Sequence, residues 1–72
     1  MARIIIAEDD GIVAMDFEML LTSAGHEVCG VAATAAEAIT LAATQRPDVI
    51  LMDGGLAHGT SGIFATAIIV RR

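Results

Sequence analysis

Acidic side chains stand directly after two of the most apolar segments of this 72-residue chain. The triplet Glu8-Asp9-Asp10 follows the apolar run 4–7, and Asp53 follows the apolar run 49–52. Carboxylates held together at the ends of buried segments repel one another, so the grouping is costly unless a cation or a reaction uses it. The chemistry they suit is that of a hard divalent cation beside a carboxylate that attacks phosphorus.

Mg²⁺ fits this donor set because it takes one or a few carboxylates, keeps several waters and contacts phosphate oxygens. Glu8 and Asp9 are the expected metal holders, and the backbone carbonyl of Gly55 is a further candidate ligand. Asp53 is the better nucleophile, because it stands alone after its apolar run, and its product would be an aspartyl phosphate. Asp10 is interpreted as a helix cap rather than as a third metal ligand.

The elements that position these acids are predicted from the apolar pattern. Strands are expected at 3–7, 27–32 and 48–53, which are short and rich in apolar residues. One helix is expected at about 11–24, and a second runs to about residue 45 from a Thr34 cap. The buried stripe of the first helix is predicted to hold the apolar residues spaced by three and four. These are Val13, Phe17, Leu20, Leu21 and Ala24.

The order strand–helix–strand–helix–strand predicts a parallel α/β sheet with right-handed crossovers and strand order 2-1-3. Ligands of such sheets bind beyond the carboxyl ends of the strands, where the strand order reverses. That point lies between the first and third strands, so Glu8, Asp9 and Asp53 are expected to converge there.

Residues 62–72 allow two interpretations. Ala65, Ala67 and the two terminal arginines permit a third helix, whereas the apolar run 68–70 favours a strand. Helix is the preferred interpretation. The outer edge of the third strand then has no predicted partner, and a long apolar edge of this kind is an association site. We therefore expect a homodimer or larger assembly that covers this edge, with the tail as an exchanged helix or an added strand.

Composition argues against several classes of function. The net charge is −5 and the sequence contains no lysine, so nucleic acid and anionic membranes are not expected partners. The apolar runs are shorter than the roughly 20 residues that cross a bilayer, and the N-terminus does not resemble a signal peptide. Cys29 stands alone, which excludes an internal disulfide and fits a cytoplasmic location.

Two segments closely resemble the receiver domain of two-component response regulators. They are residues 3–10 (RIIIAEDD) and 47–53 (PDVILMD), and their spacing is similar to that of the family. Residues 59–63 (GTSGI) look like the start of the family's third helix. The resemblance implies a flavodoxin-like (CheY-like) α/β fold with helices on both faces of the sheet. It further implies Mg²⁺ at Glu8, Asp9, Asp53 and the carbonyl of Gly55, and phosphorylation of Asp53 by a histidine kinase or phosphotransfer protein. The role is that of a signalling module rather than an enzyme.

The chain departs from the family after its third strand. Family receivers have five strands, so residues 1–72 are interpreted as a single truncated receiver domain. The Ser/Thr that ends the fourth strand and the Lys that ends the fifth have no counterpart in this sequence. Two hypotheses follow. The chain is a phosphoacceptor in a phosphorelay, or it is a non-switching remnant that binds metal and self-associates.

Overall fold

The computed structural model of the chain describes residues 1–53 and 65–69. Within them no helix has the length and apolar character needed to cross a membrane. The described elements are two helices and four strands. In chain order they are β1 (Arg3–Ala7), α1 (Gly11–Ser23), β2 (Glu27–Ala32), α2 (Ala35–Gln45), β3 (Val49–Asp53) and β4 (Ala65–Ile69).

The four strands form one sheet in the order β2-β1-β3-β4. β1 pairs in parallel with both β2 and β3, whereas β4 runs antiparallel to β3. The predicted α/β class and the order 2-1-3 are therefore confirmed for the first three strands. The order β2-β1-β3 is the one expected of two right-handed crossovers whose helices lie on opposite faces of the sheet.

The tail differs from its preferred interpretation. Residues Ala65–Ile69 form a strand, not a helix, and pair with β3 from Val49↔Ile69 to Asp53↔Ala65. The β-branched residues Thr66, Ile68 and Ile69 favour extended backbone, and the open edge of β3 supplies their hydrogen-bond partners. The expectation that the outer edge of β3 is exposed is consequently wrong, because the tail of the same chain covers it. Residues 59–63, which resemble the start of the family's third helix, lie outside the described residues.

The core is built around β1, whose residues Ile4–Ala7 are all buried. Ile5 and Ala7 belong to a cluster on the α2 face of the sheet, together with Ala38 of that helix and Ile50 of β3. Side chains alternate between the two faces of a strand, so Ile4 and Ile6 lie on the opposite face, where α1 packs. The two helices therefore cover opposite faces, as the sequence predicts.

Close packing between α2 and β2 depends on a glycine. A Cβ placed on Gly30 would lie 3.1 Å from Cδ1 of Leu41 in α2. That separation is tighter than ordinary carbon contacts, which are optimal near 3.5–4.0 Å. The absence of a side chain at this position lets α2 sit directly on the edge strand.

Candidate active site at the carboxyl end of the sheet

The sheet register places the predicted acids on neighbouring strands. Ala7 of β1 is the partner of Met52 in β3, and the next residues along the two parallel strands are Glu8 and Asp53. Neighbouring strands are about 4.8 Å apart, so the two backbones leave the sheet side by side. The described geometry of Asp53 is that of its backbone, as the last residue of β3. Gly55 lies outside the described residues.

Glu8 is the buried member of the acid pair, with 6% of its surface exposed. Its backbone N–H donates to the carbonyl of Ala32 at 2.8 Å, which ties the turn after β1 to the end of β2. Its carboxylate oxygen Oε1 accepts from the backbone N–H of Asp10 at 2.9 Å. A buried carboxylate requires such compensation, because removing an unpaired charge from water is expensive. The bond fixes the direction in which this carboxyl group is held.

Asp10 begins the first helix. Its Oδ1 accepts from the backbone N–H groups of Ile12, at 2.9 Å, and Val13, at 3.3 Å, and its backbone has the extended conformation of an N-cap. The interpretation of Asp10 as a cap is therefore confirmed. Asp9 lies between the buried Glu8 and the capping Asp10, and its side chain is exposed to solvent. The triplet thus divides into one buried, one exposed and one capping carboxylate.

An open cavity of ≈ 410 Å³ lies beside the acid pair, between α1 and the β2 side of the sheet. Four carboxylates line it: Glu8, Asp9, Glu18 and Glu37. The sequence did not assign the last two to the site, because Glu18 falls on the polar side of α1 and Glu37 completes the Thr34 capping box. Thr34 Oγ1 does accept from the backbone N–H of Glu37, at 3.1 Å. Glu8 and Glu18 are ten positions apart, a spacing that does not indicate a shared site in the sequence. The packing of α1 on the sheet brings both residues to the same cavity.

The donor set suits Mg²⁺. Carboxylate oxygens are the ligands a hard divalent cation takes, and Glu8 and Asp9 supply two from consecutive positions. Among the described residues, no group of three or more His, Cys, Asp or Glu side chains is arranged to hold a metal ion. Of the predicted ligands, Glu8 offers a buried carboxylate and Asp9 an exposed one. Both lie at the strand ends, where ligands of parallel sheets bind.

Comparison with known proteins yields one family. A family model described as the response regulator receiver domain matches residues 4–72. The phyllosphere-induced regulator PhyR of Methylorubrum extorquens is 48% identical over 64 residues, which cover 88% of this chain and 24% of that protein. The transcriptional regulatory protein PdtaR of Mycobacterium tuberculosis is 39% identical over 51 residues, which cover 71% of this chain and 25% of the relative.

Solved structures agree with the sequence relatives. The crystal structure of the response regulator PhyR from Brucella abortus superposes with a TM-score of 0.74 at 43% identity, covering 83% of this chain and 25% of the other. The anti-anti-sigma factor PhyR from Bartonella quintana gives a TM-score of 0.75 at 40% identity, covering 86% and 25%. The chain therefore spans about a quarter of the length of these relatives.

Proposed function

Because the chain belongs to the family of response regulator receiver domains of two-component signalling, we propose that it is a phosphoacceptor module and that Asp53 is the residue modified. The observation that supports this proposal best is the parallel register of β1 and β3. The pair Ala7↔Met52 is followed on one strand by Glu8 and on the other by Asp53. An acid pair beside a lone aspartate supports the proposal, because a cation held by the pair would neutralise charge on the phosphoryl group that the aspartate accepts.

The residues of the chain have separate roles in this proposal. An oxygen of the Asp53 carboxylate attacks the phosphorus of a phosphohistidine on a histidine kinase or phosphotransfer protein. The new O–P bond forms as the P–N bond breaks, and the donor imidazole leaves with its electron pair. Glu8 and Asp9, with the carbonyl of Gly55, would hold Mg²⁺, and the metal would supply positive charge to the phosphoryl oxygens. The hydrogen bond from Asp10 to Glu8 keeps the buried carboxylate in one orientation.

The experiment is phosphorylation of the purified 72-residue chain with a small phosphodonor and Mg²⁺, followed by intact mass. A single phosphoryl adduct is expected, and Asp53→Asn should abolish it. Asp16→Asn is the matched control, because it removes an exposed carboxylate of α1 that does not line the acidic cavity. An adduct that persists in Asp53→Asn would contradict the assignment of the phosphoacceptor.

The second hypothesis, a remnant that binds metal without switching, is not favoured by the comparisons, because the matched relatives are regulators. It predicts saturable Mg²⁺ binding with no phosphoryl adduct, so the same experiment separates the two. The Bartonella relative is described as an anti-anti-sigma factor, and control of a sigma-factor pathway is the output that we propose for the present receiver.

Two further expectations stay proposals. A cytoplasmic location follows from the role, because the proposed donors phosphorylate receivers inside the cell, and fractionation of tagged protein tests it. Self-association is also proposed. The sequence assigned it to the outer edge of β3, but β4 pairs with that edge. The surface available for association is therefore a different one.

A further inference from the structure

Asp10 joins the acidic triplet to the first turn of α1. Its backbone N–H donates to Oε1 of Glu8 at 2.9 Å, and its backbone carbonyl accepts from the N–H of Ala14 at 2.9 Å. Its carboxylate oxygen Oδ1 accepts from the N–H groups of Ile12 and Val13. The backbone N–H, the carbonyl and the side chain of Asp10 are therefore all engaged, and they connect a buried carboxylate to a helix terminus.

The side chain of Asp10 fixes the direction of its own backbone N–H. The cap requires non-helical backbone angles, which are φ = −90° and ψ = 111° here. The carboxylate stabilises them, because it accepts from two N–H groups that have no partner inside the helix. When the cap is lost, the first turn frays and the backbone at residue 10 becomes free to rotate. Its N–H is then no longer held toward Glu8.

Glu8 responds to this N–H through its side chain, because its main chain is held by the sheet. The backbone N–H of Glu8 donates to the carbonyl of Ala32 at 2.8 Å, and 6% of the residue is exposed. A glutamate side chain turns about several bonds, so a fixed backbone does not by itself orient the carboxyl group. The bond from Asp10 acts on that remaining freedom, and it also compensates part of the cost of burying the carboxylate.

We propose that Asp10 is a positioning residue of the candidate metal site and that it acts through Glu8. The role rests on the proposed function, in which Glu8 and Asp9 would hold Mg²⁺. By keeping one oxygen of the buried carboxylate on a fixed N–H, the cap reduces the reorientation that metal binding would require. Groups that orient a ligand in this way strengthen a metal site. The side chain of Asp10 then contributes to metal affinity without contacting the metal.

Amide hydrogen exchange without metal tests the link between the cap and Glu8, and its outcome is independent of the phosphoacceptor role. Asp10→Asn keeps an N-cap oxygen, whereas Asp10→Ala has none, and both remove the same charge. After correction for intrinsic rates, the amide of residue 10 should exchange about fivefold faster in Asp10→Ala than in Asp10→Asn, in line with the usual cost of losing a cap. Equal exchange of this amide in the two variants would refute the role of the cap.

Isothermal titration with Mg²⁺ tests the link between the cap and the metal. Asp10→Ala should bind Mg²⁺ about tenfold more weakly than Asp10→Asn, at the low end of the effect of losing a group that orients a ligand. A role through charge alone predicts equal affinities, because neither variant retains the carboxylate. Equal Mg²⁺ affinities of the two variants would therefore refute positioning by the cap.

Gly25→Ala is the matched control, because it strains the same helix at its other end. Gly25 has φ = 91°, a backbone conformation that alanine adopts only at a cost, and a Cβ there would meet no atom of the described residues within 4 Å. This variant should lose stability but bind Mg²⁺ as the wild type does, with circular dichroism showing that all three variants are folded. A loss of affinity in Gly25→Ala as large as that in Asp10→Ala would overturn the proposal. A wild-type chain that binds no Mg²⁺ would instead contradict the proposed function, and with it the site that Asp10 positions.

Discussion

The two ends of the parallel sheet differ in whether their charged side chains are paired with opposite charges. At the amino-terminal end, opposite charges and polar groups pair with one another, although the buried Nε of Arg3 has no hydrogen-bond partner among the described residues. The guanidinium of Arg3 donates to the carbonyl of Gln45 at 2.8 Å and lies 4.0 Å from the carboxylate of Glu27. Asp48 accepts from the backbone N–H of Arg3 at 2.9 Å and returns its own N–H to the Arg3 carbonyl at 2.8 Å. These contacts join the start of β1 to β2 and to the segment before β3, and together they form the amino-terminal closure of the fold.

At the carboxyl end the arrangement is reversed. Glu8 and Asp9 share a cavity with two further carboxylates, and the described residues that line it include no cationic side chain. Like charges in one cavity destabilise the folded chain, and the repulsion disappears only when a cation or a phosphoryl group with its counterion arrives. The difference predicts that the amino-terminal end contributes stability and that the carboxyl end binds the ligand. It can be tested by neutralising charges at each end and measuring both properties.

The largest effect is expected on metal affinity. Glu8→Gln keeps the size of the side chain and an oxygen that can accept from Asp10, but it removes a buried negative charge. We expect Mg²⁺ affinity to fall by about 100-fold or more, because Glu8 is itself a proposed ligand and the loss of even a ligand's outer-shell partner typically costs about 10–100-fold. Isothermal titration with Mg²⁺ measures it. Glu27→Gln, at the amino-terminal end, is the matched control and should bind Mg²⁺ as the wild type does. Unchanged affinity in Glu8→Gln would remove Glu8 from the site.

A stability loss is expected next, at the amino-terminal end. Asp48→Ala removes the acceptor of the Arg3 backbone N–H. The free energy of unfolding should fall by about 1 kcal/mol, because an exposed, charge-assisted hydrogen bond contributes little more than a neutral one. Urea denaturation measures this change. Mg²⁺ affinity should not change, and a variant that lost metal binding without losing stability would break the distinction between the two ends.

The opposite sign is expected at the carboxyl end when no metal is present. Asp9→Asn removes one exposed charge from the acidic cavity, so the free energy of unfolding should rise by about 0.5 kcal/mol at low salt. Added salt should shrink the difference, because it screens the repulsion. Denaturation with and without Mg²⁺ supplies the comparison, since Mg²⁺ should stabilise the wild type and stabilise Asp9→Asn much less. Destabilisation by Asp9→Asn in the absence of metal would contradict the expected repulsion among the carboxylates of the acidic cavity.

Sequence patterns predict the first five elements because each is decided locally. The apolar runs of β1, β2 and β3 are short and bounded, and Asp10, Thr34 and Gly25 mark where the helices begin or end. Gly25 follows α1 with φ = 91°, a conformation that glycine adopts without steric cost. The adjacent strand-end positions of Glu8 and Asp53 have the same origin, since a parallel register brings the carboxyl ends of strands to one edge, and their role as a site stays a prediction.

The tail could not be predicted in this way because a distant partner decides its structure. Alanines and arginines in 65–72 suit a helix as well as Ile68 and Ile69 suit a strand, and pairing with the edge of β3 decides in favour of the strand. The buried side of α1 shows the same limit. Ala14 is buried whereas Leu20, predicted to be buried, is 67% exposed, because the position of the helix on the sheet selects the buried face.

His26 is a half-buried part of the amino-terminal closure. Its Nδ1 accepts from the backbone N–H of Ala2 at 3.0 Å, and the Ala2 carbonyl accepts from the N–H of Glu27 at 2.9 Å. The imidazole therefore connects the start of the chain to the turn between α1 and β2. The sequence could not show this, because the two residues are 24 positions apart.

The smallest predicted effect follows from this bond. His26→Ala should lower the free energy of unfolding by a few tenths of a kcal/mol, because a half-buried bond near a chain terminus lies at the low end of hydrogen-bond contributions. His26→Asn keeps a side-chain acceptor and should recover part of the loss. Urea denaturation measures both variants, and Mg²⁺ affinity should match the wild type in each. Equal stability of His26→Ala and the wild type would mean that the imidazole does not support this end, and the closure would then rest on Arg3 and Asp48.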